Sequence, residues 1–224
     1  MTGTVGSASV GRLNLRQRLL PRVVGQFMRP HGPGGHVAGW VMGHRSSNCR
    51  RNRWVVSLLD VQTTDRVLEI GFGPGVAIAE LARLATRGQI LGIDHSEVML
   101  RQATRRNASA IHAGRVELRL GSVEELPELG GPLDKVLAVN SMGFWPDPPA
   151  RLLDLRSRLR PGATIAIASQ PRCPGATRET SAEAARKTES ALANAGFTGI
   201  RVETLDLDPP VVCVLASNDL GEQP

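Results

Sequence analysis

From residue 66 onward the chain alternates short apolar runs with longer amphipathic stretches, and few architectures satisfy that pattern. Arg66–Ile70, Gln89–Asp94, Val116–Leu120, Lys135–Asn140 and Ala163–Ser169 are rich in Val, Ile, Leu and Ala, as strands covered on both faces are. Helical spacing is expected at Val76–Ala85, Glu97–Asn107, Pro149–Leu159 and Ser181–Ala195, the last with Ser181 as its cap. Arg201–Leu205 and Val211–Ser217 read as two final strands, paired as an antiparallel hairpin at a sheet edge. Strands separated by helices imply right-handed βαβ units, hence a doubly wound α/β fold with a mostly parallel sheet. Such sheets bind ligands at the carboxyl ends of their strands.

The 224 residues suit one sizeable domain with an appendage: a basic N-terminal extension over 1–47 and an α/β domain over 48–224. The first ten residues are small and polar, as in disordered termini. Helical spacing then runs from Leu13 to Met28, interrupted at Pro21, and the breaker at 30–35 separates it from further helices at His36–His44 and Asn48–Leu59. In related folds an extension of this kind often builds a lid over a substrate site. Residues 1–66 carry ten Arg against Asp60 and Asp65, a net +8, whereas the rest of the chain sums to −2. A basic arm suits steering of an anionic or lipid-embedded substrate and transient contact with an anionic membrane. Equally, only Lys135 and Lys187 are lysines, so Arg is replacing Lys throughout on an ordinary solvated surface. Cys49, Cys173 and Cys213 stand far apart, which is neither a disulfide framework nor a zinc site, and no metal is expected. With no long apolar span and no apolar leader, the expected location is the cytoplasm.

The most informative segment is Val67-Leu-Glu-Ile-Gly71-Phe-Gly73-Pro-Gly75, where a strand gives way to a helix. Glycines there permit a sharp turn and let a ligand approach the main-chain N–H groups. The spacing is G-x-G-x-G, with Val76 where a dinucleotide fingerprint has its third glycine, and no Gly-Lys-Ser/Thr follows. Glu69, just before the turn, would repel a pyrophosphate but attract an ammonium group. Asp94 ends the next strand, 19 residues after Gly75, close to the offset of a ribose-binding acid. Its alternative role is to cap the helix that begins near Glu97.

These residues resemble the class I S-adenosylmethionine-dependent methyltransferases, nearest the small-molecule branch that includes the quinone-biosynthesis C-methyltransferases. Val67–Gly75 is similar to the family's first motif and Ile93–Ser96 to its acidic loop. Leu120–Pro127 is similar to its adenine segment, Asp134–Asn140 to the next strand, and Leu159-Arg-Pro-Gly162 to the turn before strand five. The resemblance spans Asn48 to Ser169. It implies a Rossmann-like domain with S-adenosylmethionine as cofactor, in which Gly71, Gly73 and Gly75 form the binding turn and Glu69 faces the amino end of the methionine. Asp94 would hold the ribose, His95 would lie beside the adenine, Ser122 and Val123 would meet its edge, and Asn140 would offer its carbonyl near the methionine. Ser122 departs from the family's usual Asp, which shifts weight to the Val123 backbone.

Methyl transfer needs positioning more than a base, so no catalytic residue has to be visible. If a base exists, histidine suits neutral pH. His31, His36 and His44 all fall in the extension, and for each a polar surface role outweighs catalysis. His44 is the candidate, because Arg45, Asn48 and Arg51 lie near it in sequence. Phe144 and Trp145 follow strand four at the expected mouth, as acceptor walls or as packing residues, and Trp54 reads as helix packing. The Asn140-Ser-Met-Gly143 run lacks the Pro-Pro-aromatic that nucleic-acid amino-methyltransferases place there, so nucleic acid is not an expected partner. The expected activity is methyl transfer to a small apolar or aromatic acceptor. The alternatives are a non-catalytic cofactor-binding or nucleic-acid-associated module and, with less support, a nicotinamide-dependent oxidoreductase.

Overall fold

The computed structural model describes residues 46–219. The anticipated helices at 13–28 and 36–44, and the histidines His31, His36 and His44, lie outside the described residues.

Helix α1 (Ser46–Leu58) leads into β1 (Arg66–Ile70), α2 (Val76–Leu84), β2 (Gln89–Asp94), α3 (Glu97–Arg106), the short α4 (Ala108–His112) and β3 (Val116–Leu120). Then follow β4 (Leu133–Val139), a 3-10 turn (Met142–Phe144), α5 (Pro148–Arg158), β5 (Leu159–Ser169), α6 (Arg178–Asn194), β6 (Thr198–Leu205) and β7 (Val211–Ser217). The sheet order is β3-β2-β1-β4-β5-β7-β6. Every pairing from β3 through β5 is parallel, and β7 runs antiparallel to both β5 and β6. The expected C-terminal hairpin is present, with its second strand turned inward against β5 and its first forming the edge.

Alternation along each strand divides the core into two layers. Val67, Leu137, Ala166 and Cys213 face the layer formed with α1 to α4. Leu68, Val136, Ile165 and Val214 face α5 and α6. Glu69 has the parity of Val67, so its carboxyl enters the first layer, under the start of α2. Aliphatic side chains fill both layers, as the lack of Tyr and scarcity of Phe require.

Two local expectations are corrected. The long helix begins with Thr177, whose hydroxyl accepts the Thr180 N–H while Thr180 Oγ1 accepts the Thr177 N–H. Ser181 instead lies buried within the helix and donates to the Pro210 carbonyl at 2.8 Å. The Leu159–Gly162 turn is part of β5 itself: the pairing slips between Leu133↔Leu159 and Lys135↔Thr164, so the segment is a bulge in the strand. The 3-10 turn and α4 were too short to register as periodic patterns.

Strands β1 to β3 build outward in one direction and β4 starts again on the other side of β1. Helices therefore leave adjacent strands toward opposite faces, and a crevice opens between the carboxyl ends of β1 and β4. The glycine turn lies on its floor.

Candidate active site

Gly71, Gly73 and Gly75 have φ of +76°, +52° and +74°, a region that disfavours side chains. Each meets different surroundings. A Cβ on Gly71 would lie 2.4 Å from Ser141 Cβ, so this glycine lets the ends of β1 and β4 touch. A Cβ on Gly75 would meet Asn107 and Ala103 within 3 Å, so this one seats the turn against α3. On Gly73 it would meet nothing within 4 Å among the described residues. Gly73 is thus the member of the turn whose missing side chain leaves space open to a ligand.

The turn is tied down from three sides. The Gly71 N–H donates to Ile93 O at 2.7 Å, and Ser141 Oγ donates to Ile70 O at 2.6 Å. Arg106 Nε donates to Pro74 O at 2.9 Å, and Asn107 Nδ2 donates to Gly75 O at 3.2 Å. Ser141, Arg106 and Asn107 went unmarked in the sequence. Asn107 looked like an ordinary helix end, and nothing local signals a bond to a loop 32 residues away.

Asp94 is buried at the end of β2, where Oδ2 accepts the Gly73 N–H at 2.8 Å and Oδ1 the Ser96 N–H at 2.9 Å. The cap of α3 is Ser96, whose hydroxyl accepts the Met99 N–H, so Asp94 is left to brace the turn. A carboxylate has lone pairs for about four hydrogen bonds, which leaves capacity for ribose hydroxyls. Burial raises the Asp94 pKa, and the two backbone N–H groups and His95 oppose that rise. His95 is half exposed, with Nδ1 4.0 Å from Asp94 Oδ1.

Glu69 is 1 % exposed, and its Oε2 has no hydrogen-bond partner among the described residues. Burial raises its pKa well above the ordinary carboxylate value, the negative charge of Asp94 adds to the rise, and the Ile78 backbone N–H acts against it. Two buried carboxylates thus lie within electrostatic range beneath the turn, and Glu69 has no cationic partner among the described residues. A ligand with a cationic end would relieve both the desolvation and the mutual repulsion. Glu69→Gln is expected to raise the melting temperature of the cofactor-free protein at pH 8. A pKa raised on folding means that the native state holds its proton longer, so the wild type loses stability as pH climbs above the unfolded value. The advantage of the Gln variant should therefore shrink to nothing near pH 4, which thermal melts across that range would check.

The remaining expected contacts border the crevice. Ser122 is half-buried, and its Oγ accepts the Glu124 N–H at 3.1 Å within its own loop. Val123 is buried among the residues that pack β4. Asn140 adopts φ +55°, with its N–H on Ala168 O and its Oδ1 accepting the Gln170 N–H at 2.7 Å, which joins the ends of β4 and β5. Of the two aromatics after β4, Phe144 is 50 % exposed, whereas Trp145 is taken into the core with its Nε1 unpaired. Trp54 packs partly buried against the first core layer, and His112 is exposed near β3.

A doubly wound sheet with a glycine turn ending β1 and a buried acid ending β2 defines a nucleoside-cofactor enzyme of the Rossmann-like class. Comparison with known proteins gives the particular family. Residues 67–162 match a family described as a methyltransferase domain. A Bacillus subtilis protein, the uncharacterised methyltransferase YdaC, is 32% identical over 80% of this chain and 97% of its own length. The chain therefore belongs to the class I S-adenosylmethionine-dependent methyltransferases, with S-adenosylmethionine as its cofactor. A ubiquinone biosynthesis O-methyltransferase of Xanthomonas campestris is 33% identical over 50% of this chain and 45% of its own. Among solved structures, a SAM-dependent methyltransferase from Aquifex aeolicus superimposes with a TM-score of 0.58 at 21% identity, covering 74% of this chain and 88% of its own. The [4+2]-cyclase SpnF superimposes at 0.62 with 17% identity, over 79% and 83% of the two chains, a likeness of fold alone. The nicotinamide alternative is set aside by the family, in keeping with the unpaired Glu69 at the place a pyrophosphate would need.

Proposed function

We propose that the chain transfers a methyl group from S-adenosylmethionine to an oxygen or carbon centre of a small apolar or aromatic acceptor by in-line displacement. The observation that carries this reading is the pair of buried carboxylates, Glu69 and Asp94, beneath a turn that is open at Gly73. Glu69 would take the cofactor's ammonium, directly or through water, with Gly71 and Gly73 lining its methionine. Asp94 would accept the ribose hydroxyls. His95 would flank the adenine, Ser122 and the Val123 backbone would meet its edge, and the Asn140 carbonyl would face the methionine end. Gly75 serves the same site at one remove, by fixing the turn on α3.

When bound, the cofactor supplies a sulfonium whose methyl carbon is electrophilic. The chain has to hold an acceptor in line with that carbon and exclude water, which can provide much of the rate enhancement without a base. Exposed Phe144 beside the β4 end supports an apolar or aromatic acceptor, as does similarity to an enzyme named as a quinone-pathway O-methyltransferase. His44 remains the candidate base. Incubating the full chain with methyl-labelled cofactor and a fractionated metabolite extract tests the reading. Label is expected in small organic-extractable products. Label confined to protein or nucleic acid would overturn the acceptor class.

A further inference from the structure

Arg51 is the most anomalous charge in the molecule. It projects from α1 and is only 4 % exposed. Its Nη1 donates to Gln170 Oε1 at 2.6 Å, its Nη2 donates to Asn48 Oδ1, and its Nε has no partner among the described residues. Both acceptors are neutral amides. Burial and the nearby cation Arg172 lower its pKa to about 9, which still leaves the guanidinium charged at neutral pH.

A buried cation is costly unless an anion compensates it. No carboxylate pairs with Arg51 among the described residues. Residues 1–45 contain no Asp or Glu at all.

The surroundings are also built as a site. Asn52 Nδ2 donates to Asn48 O at 2.8 Å, and Gln170 Nε2 donates to Pro209 O at 2.8 Å, so the two amides that hold the guanidinium are themselves held. Through the bond from Gln170 N–H to Asn140 Oδ1, the cluster joins the end of β4, where the crevice lies. Exposed Arg172 follows Gln170 by two residues.

We propose that Arg51, positioned by Asn48 and Gln170 and flanked by Arg172, is the binding site for a ligand carboxylate at the β5 side of the crevice. The inference rests on the methyltransferase reading in placing that ligand in the crevice. Two molecules can carry the carboxylate, the cofactor at its methionine end or the acceptor, and the experiment distinguishes them.

Calorimetry on the full chain would compare wild type with Arg51→Met and Arg51→Lys, using S-adenosylhomocysteine, its carboxylate-free relative 5′-methylthioadenosine, and benzoate added to protein saturated with S-adenosylhomocysteine. If the cofactor supplies the carboxylate, Arg51→Met weakens S-adenosylhomocysteine by about tenfold or more and leaves 5′-methylthioadenosine unchanged. If the acceptor supplies it, both nucleosides bind as in wild type and benzoate binding is lost. In either case Arg51→Lys, which keeps the charge, restores part of the loss. Wild-type affinities for all three probes in Arg51→Met would overturn the proposal, and so would failure of both variants to fold, since Arg51 would then be structural. Wild-type protein that binds benzoate through Arg51 but neither nucleoside would instead sink the cofactor assignment and leave the carboxylate site standing.

Discussion

Gly73→Val is expected to abolish S-adenosylmethionine binding, a loss beyond 100-fold, while the protein stays folded. The argument is steric and confined to one atom's surroundings. An added Cβ at Gly73 meets no atom of the described residues within 4 Å, so the core has nothing to rearrange, and the space it enters is the approach to the turn. The cost to folding is the strain of a branched side chain at φ +52°, about 1–2 kcal/mol, or roughly 2–8 °C in melting temperature for a chain of this size. Gly114→Val supplies the control. Gly114 also has positive φ, +69°, and also open surroundings, but it precedes β3 at the amino end of the sheet. Both variants should melt alike, and only the first should lose cofactor in a calorimetric titration. Retained affinity in Gly73→Val would mean that the cofactor does not cross this turn.

Asp94→Ala carries the second large effect, a loss of about 1–3 kcal/mol in cofactor affinity, or roughly 5- to 150-fold. Two causes combine. The carboxylate presents acceptors where ribose hydroxyls are expected, and it also fixes the turn through the Gly73 N–H at 2.8 Å. Melting temperature should move far less than affinity, because removing a buried carboxylate offsets the loss of the two N–H partners. Titration with S-adenosylmethionine alongside thermal melts checks both. A variant that binds as tightly as wild type would show that Asp94 serves the turn and the Ser96 bend alone.

Glu69 and Arg51 illustrate a shared principle with opposite charges. Each is a buried ionisable group that the described residues leave without a counter-ion, and each destabilises the free protein by that fact. Sites that bind charged ligands tightly tend to be built this way, with stability given up in the free form and regained on binding.

Much of the fold was legible because its signals are local. Apolar runs at period two or longer, separated by helical spacing, required a parallel sheet with helices on both sides. The β1, β2, β3 and β7 bounds follow from the sequence without adjustment. The turn was legible for the same reason: positive φ at Gly71, Gly73 and Gly75 is a property of the residues themselves, and the offset to Asp94 is the length of one βαβ step. Tertiary structure alone divided the labour among the three glycines, because whether a missing Cβ faces Ser141, α3 or open space depends on which strand and helix lie alongside. It alone drew Asn107 to Gly75 across 32 residues and Arg51 to Gln170 across 119. Those pairings are fixed by strand order and the packing of α1, and no pattern in neighbouring residues encodes them. The sequence by itself thus determined the kind of sheet, the glycine turn after β1 and the acid that ends β2, since each is set by backbone conformation and short-range spacing. Which buried charges lack partners was decided only when the chain closed, because a missing counter-ion is a fact about every neighbour in space at once.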